Sequence, residues 1–175
     1  MAKIIPIPKT KTDLDLQTNY RPIALLSFFS KIFEKIVAER LSKFFMKFDI
    51  LYEYQFGFRS KYSTKHALIE SIDYIREAID QNNYVAGIFF DISKAFDALD
   101  HEILLSKLHN YGIRGSMYDW VKSYLSHRSQ FTVINKTASS FSKLNYGVPQ
   151  GSVLGPLLFL YVFISPRKHG SNRHN

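Results

Sequence analysis

The strongest constraint on this chain is a short uncharged run, Val85-Ala86-Gly87-Ile88-Phe89-Phe90, that ends directly on a carboxylate, Asp91. It follows the turn signal Asn82-Asn83, and its length and apolar content predict a buried strand over 84–91. Burying an ionised carboxylate without a partner is costly, so something must compensate Asp91. Open sheets carry functional groups at the carboxyl edge of central strands, which makes a cation one candidate partner, and magnesium suits a hard oxygen donor. A single carboxylate is nevertheless a poor magnesium site, because the ion wants near-octahedral oxygen coordination. A strand-end aspartate bonded to a neighbouring turn explains the same residue, and both readings stand. Asp97 reads as a turn or helix-start residue rather than a second ligand, Phe96 taken alone as core, and Lys94 as a solvated charge.

With 175 residues the chain is one domain or part of a larger one, and 46% hydrophobic content marks it as globular. Its net charge of +8 favours a polyanion, nucleic acid first and an anionic membrane second. Cysteine is absent, which excludes disulfides, Cys-zinc sites and thiol nucleophiles and fits an intracellular, cytoplasmic or nuclear compartment. Prolines interrupt the amino end where a secretory signal needs an apolar stretch. The longest apolar run, Val153 to Ile164, is broken by Gly155-Pro156 and falls short of the ~20 residues of a membrane span. A soluble, non-secreted chain without a membrane partner is expected.

Residues 1–19 read as an extended arm or loop. Ser30 is expected to cap a helix with Phe33, Ile36, Val37, Leu41, Phe44 and Phe48 on its core stripe, and Ser63 or Thr64 a second helix with Leu68, Ile72, Ile75 and Ile79. Asp100 caps a third, carrying Leu104, Leu105 and Leu108 and stopping at Gly112. A fourth starts near Ser116, with Trp120, Val121, Tyr124 and Leu125 inside. Residues 130–134 and 140–146 alternate as a hairpin around Asn135-Lys136-Thr137. The tight loop Gly147-Val148-Pro149-Gln150-Gly151-Ser152 precedes an apolar helix.

Two glycines around Pro149-Gln150 let backbone approach a flat ligand, and the Gln150 carboxamide offers a donor and an acceptor. A plain turn into a buried helix accounts for them equally. Lys9, Lys11, Arg21, Arg59, Lys61 and Lys65 supply positive charge of the sort phosphoryl transfer uses, though each singly is an ordinary surface charge.

Taken in order, Asn19-Tyr20-Arg21-Pro22-Ile23-Ala24-Leu25-Leu26, Gln55-Phe56-Gly57-Phe58-Arg59 with Ser63-Thr64, Phe90-Asp91-Ile92-Ser93-Lys94-Ala95-Phe96-Asp97, and Gly147-Val148-Pro149-Gln150-Gly151 running on to Phe159 resemble the reverse transcriptase of non-long-terminal-repeat retrotransposons, of the jockey and CR1-like kind. The resemblance spans about Ile4 to Phe159. It implies an α+β fold, the fingers and partial palm of a right-hand polymerase. It also implies attack of a primer 3′-hydroxyl on the α-phosphate of a nucleotide, directed by an RNA template and aided by two metal ions.

By the same resemblance Asp91 is the catalytic aspartate and, with the Ile92 carbonyl, a ligand of magnesium. Arg21, Lys11, Phe96, Gln150 and Gly151 bind the incoming nucleotide, Phe96 as the bulky residue beneath its sugar. Arg59 touches the template or supports the fingertip, and Lys61 faces the template. The implied partners are an RNA template, a DNA primer and deoxynucleoside triphosphates, and the oligomeric state is open. The implied divisions are 1–83 (fingers with an amino-terminal arm), 84–110 (palm strand and helix), 111–145 (connecting segment), 146–164 (palm nucleotide-pocket loop and helix) and 165–175 (an unstructured basic tail).

The family pattern continues to a hairpin with two adjacent aspartates and then a thumb. Here the sequence diverges from about Tyr161, and no Asp or Glu follows Asp119. The expectation is therefore a truncated, inactive reverse transcriptase domain with the Asp-Asp hairpin and thumb missing, or a non-catalytic module that holds RNA or an RNA–DNA hybrid.

Overall fold

A computed structural model describes residues 1–10, 12 and 15–163 of the chain, so the expected basic tail at 165–175 and residue Lys11 lie outside the described residues. The architecture is mixed α and β. The strands are β1 (Ala2–Pro8), β2 (Tyr20–Leu25), β3 (Arg128–Ile134), β4 (Thr137–Ala138) and β5 (Ser142–Leu144); the helices are α1 (Phe28–Lys47), α2 (Thr64–Asp80), α3 (His101–Asn110), α4 (Gly115–Leu125) and α5 (Gly155–Phe163). The strand order is β2-β1-β3-β4, with β5 also paired to β3.

The amino end, expected to be an arm, is instead the middle of this sheet. β1 pairs antiparallel with β2 and parallel with β3 through Ala2, Lys3 and Ile4. Its prolines fit because of register. Pro6 lies opposite Pro22, and Ala24, of the same parity as Pro22, sends its N–H away from β1 to the Gln150 carbonyl at 2.8 Å. Ala24 and Pro22 therefore occupy positions where the ladder needs no N–H from β2. Pro6 lies beyond the residues that β3 contacts, so its missing donor leaves no gap there either.

Local signals account for the hairpin and the third and fourth helices. Asn135 and Lys136 both have positive φ, 49° and 68°, as a two-residue turn matching strand twist requires, and β3 returns against β4 and β5. The Asp100 carboxylate accepts from the Glu102 and Ile103 amides at 2.8 and 3.0 Å and so caps α3. Leu104 and Leu108 of α3, Val121 and Leu125 of α4 and Leu158 of α5 share one core with Leu41 and Phe45 of α1. Tyr161, where divergence was expected, is integral to that core: it stacks on Phe45 with ring centroids 3.7 Å apart.

Three further expectations need correction. α1 starts earlier, capped by Ser27, whose side chain accepts from the Ser30 amide. Its buried face is Glu34, Val37, Ala38, Leu41 and Phe45, which leaves Phe33, Ile36 and Phe48 exposed. The helix is aromatic around much of its circumference, so periodicity alone did not select a face. α2 is capped at Ser63 as expected, but its stripe of Leu68, Ile72, Ile75 and Ile79 is exposed and none of its residues is buried. Finally, 84–91 forms no strand: Tyr84, Phe89 and Phe90 are almost fully exposed. An apolar strand needs neighbours for its backbone and both faces, and the described residues supply none.

Candidate functional site

The first site candidate is the loop from Gly147 to Gly155, which is hydrogen-bonded to β2, to the 96–99 backbone, to His101 and to Glu34. The Gly147 amide donates to the Leu99 carbonyl at 2.7 Å and the Val148 amide to the Phe96 carbonyl at 2.8 Å. The Gly147 carbonyl takes a 2.7 Å bond from His101 Nε2, which must carry the proton because a carbonyl can only accept. Gly147 has φ +80°, and a Cβ there would come within 2.9 Å of the Asp97 and Phe96 backbone, so glycine is required by conformation and by space.

Gln150 joins the two sides. Its carbonyl accepts from Ala24 of β2, and its carboxamide Nε2 donates to both carboxylate oxygens of Asp97, at 3.1 and 3.3 Å. Gly151, at φ +98°, lies against Ala24 and the Ile23 side chain. Side chains alternate along a strand, so Arg21 stands on the same face of β2 as Ile23, two residues or roughly 7 Å away. Its side chain is exposed. Phe96 is half-buried between Phe58 and Phe159, with ring centroids 6.3 and 5.1 Å away. Arg21, Phe96, Gln150 and Gly151 thus belong to one neighbourhood.

Beyond Gln150, Ser152 Oγ donates to the Pro149 carbonyl at 2.8 Å and accepts from the Gly155 amide at 2.9 Å. Glu34 of α1, with no exposed surface, accepts through Oε2 from the Val153 amide at 2.8 Å and the Leu154 amide at 3.3 Å, at the start of α5. Tyr124 is nearby. Burial raises its pKa, the Glu34 charge raises it further, and Arg128 and Ser152 pull it back.

The other expected site residues are not gathered here. Asp91 is exposed at the end of the unpaired stretch, and Ile92 beside it is 46% exposed. Arg59 turns inward: its guanidinium donates to the Tyr52 and Glu53 carbonyls and lies 4.2 Å over the Tyr62 ring, bracing its own loop. Lys61 is exposed, with φ +69°. Lys9, also considered for phosphate, is held by the Thr18 carbonyl. Among the described residues there is no group of three or more His, Cys, Asp or Glu able to hold a metal ion, so the donors that magnesium needs are not assembled around Asp91. No described helix is long and apolar enough to cross a membrane.

Sequence reasoning missed Glu34 and the part played by Asp97. Glu34 carries no local signal, since a glutamate on a lysine-rich helix reads as solvated. Asp97 was read as a turn residue; its bond to Gln150 spans 53 positions and has no local trace.

Residues 7–167 match the family model described as reverse transcriptase (RNA-dependent DNA polymerase). The chain belongs to the reverse transcriptase family. Among curated proteins it is 37% identical over 159 residues to the probable RNA-directed DNA polymerase from transposon BS of Drosophila melanogaster, covering 91% of this chain and 17% of that protein. It is also 37% identical to the RNA-directed DNA polymerase from mobile element jockey of the same fly, over 90% of this chain and 17% of the relative. A Pol polyprotein from the type-1 retrotransposable element R2 of Popillia japonica is 29% identical over 87% of this chain and 21% of its own length. The chain is thus a reverse transcriptase domain of the non-long-terminal-repeat retrotransposon kind that spans about one sixth of its first two relatives. The family match continues to residue 167, past the expected break near Tyr161.

Proposed function

We propose that these 175 residues form the nucleotide- and template-facing part of a retrotransposon reverse transcriptase, fingers with a partial palm, and hold nucleic acid without extending a primer. The observation that carries the reading is the Gly147–Gly155 loop, tied through Gln150 to β2 near Arg21 on one side and to Asp97 beside Phe96 on the other. Such a floor can receive a base and sugar, with Arg21 reaching a triphosphate. Arg59 supports the template side from within its loop, and Lys61 offers an exposed charge there.

Catalysis by these residues alone is a different matter. The family generally works with a divalent metal, for which Asp91 and the Ile92 carbonyl are the candidate ligands here. Alone they are fewer donors than magnesium takes, and among the described residues no cluster of three or more His, Cys, Asp or Glu adds to them. The net charge of +8 supports phosphate contact in the absence of turnover.

Two measurements on the purified chain test this. With an RNA template, a DNA primer, deoxynucleotides and magnesium, no primer extension is expected; robust incorporation that vanishes in Asp91→Ala would overturn the inactive reading. Binding to an RNA–DNA hybrid should weaken at least about tenfold between 50 and 200 mM salt. Absence of hybrid binding at low salt would remove the nucleic-acid reading itself.

A further inference from the structure

Glu34 is a buried carboxylate for which the site above has no chemical use. It lies on α1, where the Ser30 hydroxyl one turn earlier donates to Oε1 at 3.2 Å, yet its Oε2 accepts from the Val153 and Leu154 amides at the far end of the nucleotide loop. The Leu154 carbonyl already accepts the first helical bond of α5, from the Leu158 amide at 2.9 Å. The Val153 and Leu154 amides precede that first turn, where donors lack helical partners, and a carboxylate there is favoured by both hydrogen bonding and the helix dipole. Here the cap comes from another helix, 119 residues away in sequence.

The consequence reaches Gln150. Ser152 binds Pro149 on one side and Gly155 on the other, so the stretch from Pro149 to Gly155 is a closed turn with little freedom. Fixing Val153 and Leu154 fixes the far end of that turn, while Gly147 and Val148 fix the near end. Gln150 and Gly151 stand between the two anchors.

We propose that Glu34 is a positioning residue for the nucleotide pocket, holding the Pro149–Leu154 turn so that Gln150 and Gly151 stay against β2 and Asp97. Its use in nucleotide binding rests on the pocket reading proposed above; its hold on the turn does not.

The test compares the full chain with Glu34→Gln and Glu34→Ala. Nuclear magnetic resonance follows amide exchange at Val153 and Leu154 and the side-chain amide signal of Gln150, while titration with a deoxynucleoside triphosphate and magnesium gives affinity. In Glu34→Ala, exchange at both amides should speed by about a hundredfold relative to the sheet. The Gln150 signal should lose its Asp97-bonded position, and nucleotide affinity should fall about tenfold. Glu34→Gln retains one acceptor oxygen and should fall between; where Glu34→Ala does not fold, this variant carries the test. Unchanged exchange at Val153 and Leu154 overturns the proposal. Faster exchange with an unmoved Gln150 signal overturns it too, since Glu34 would then be a helix cap without reach into the pocket. Should the unsubstituted chain bind no nucleotide, the pocket reading falls, and exchange together with the Gln150 signal still decides whether Glu34 holds the turn.

Discussion

The loop at 147–155 and the run at 84–91 are both uncharged up to their functional residues, and both carry family signatures, yet they end in opposite states. The loop is bonded to β2, to the 96–99 backbone, to His101 and to Glu34. The run has no strand partner among the described residues and exposes Phe89 and Phe90 at 96% and 91%. Composition does not separate them. The loop's partners lie upstream among the described residues, whereas the run needs flanking strands on both sides and finds none among the described residues. A sheet interior is a property of several segments at once, while a loop between two glycines can be completed by single bonds from elements already folded.

The comparison breaks most sharply at Gly147. Replacing it with Ala puts a Cβ within 2.9 Å of the Asp97 and Phe96 backbone at a φ of +80° that side chains resist. Gly147→Ala should lower stability by roughly 3–4 kcal/mol, seen as a lower urea midpoint. An effect below about 1 kcal/mol would show that the loop is less fixed than its bonds suggest.

Alkaline pH probes the bonded half through Tyr161. Burial raises its pKa to about 12, with a bond to Ser42 working the other way, and burial raises Tyr111 and Tyr124 as well. A tyrosine whose folded pKa exceeds the unfolded one binds its proton more tightly when folded. That contribution is complete below the ordinary value near 10 and is lost as pH rises through about 12. For Tyr161 it amounts to roughly 2–3 kcal/mol. Urea unfolding followed across this window should show the fall, and Tyr161→Phe should flatten it. A chain equally stable at both ends would mean that the ring is not buried in solution.

Asp97 tests a smaller element of the loop. Its carboxylate holds an exposed carboxamide, so Asp97→Ala should cost only about 0.5–1 kcal/mol. Its larger consequence should be a Gln150 side-chain amide signal that moves toward its solvated position.

These magnitudes follow what sequence could and could not disclose. Asp100, Ser63 and Asn135-Lys136 act on neighbours a few positions away, and the elements they start or turn were legible. The face of α1 was legible only in part: Val37 and Leu41 of the expected stripe are buried, but Phe33, Ile36 and Phe48 are exposed while Ala38 and Phe45 turn inward, a choice made by packing against the shared core and not by periodicity. The strands at 2–8 and 20–25 were hidden by Pro6 and Pro22, whose tolerance depends on a register that sequence does not print. In the site, residue types were legible from the family pattern and the contacts were not, since Gln150–Asp97 and Glu34–Val153 join distant segments. The strand at 84–91 was legible as a tendency, and the tendency is unmet.

That unmet tendency gives the smallest expected effect. Ile88 is 77% exposed within the unpaired run, so a proline there removes no ladder bond and no packing. Inside a central strand the same change deletes a backbone donor and leaves its ladder acceptor unpaired, which costs about 1–3 kcal/mol. Ile88→Pro should therefore shift the urea midpoint by an amount equivalent to less than about 0.5 kcal/mol, and the amides of 85–90 should exchange at nearly the rate of an unstructured peptide. A large loss of stability, or slow exchange in that stretch, would mean that the run finds a strand partner in solution, and the contrast between the two regions would then dissolve.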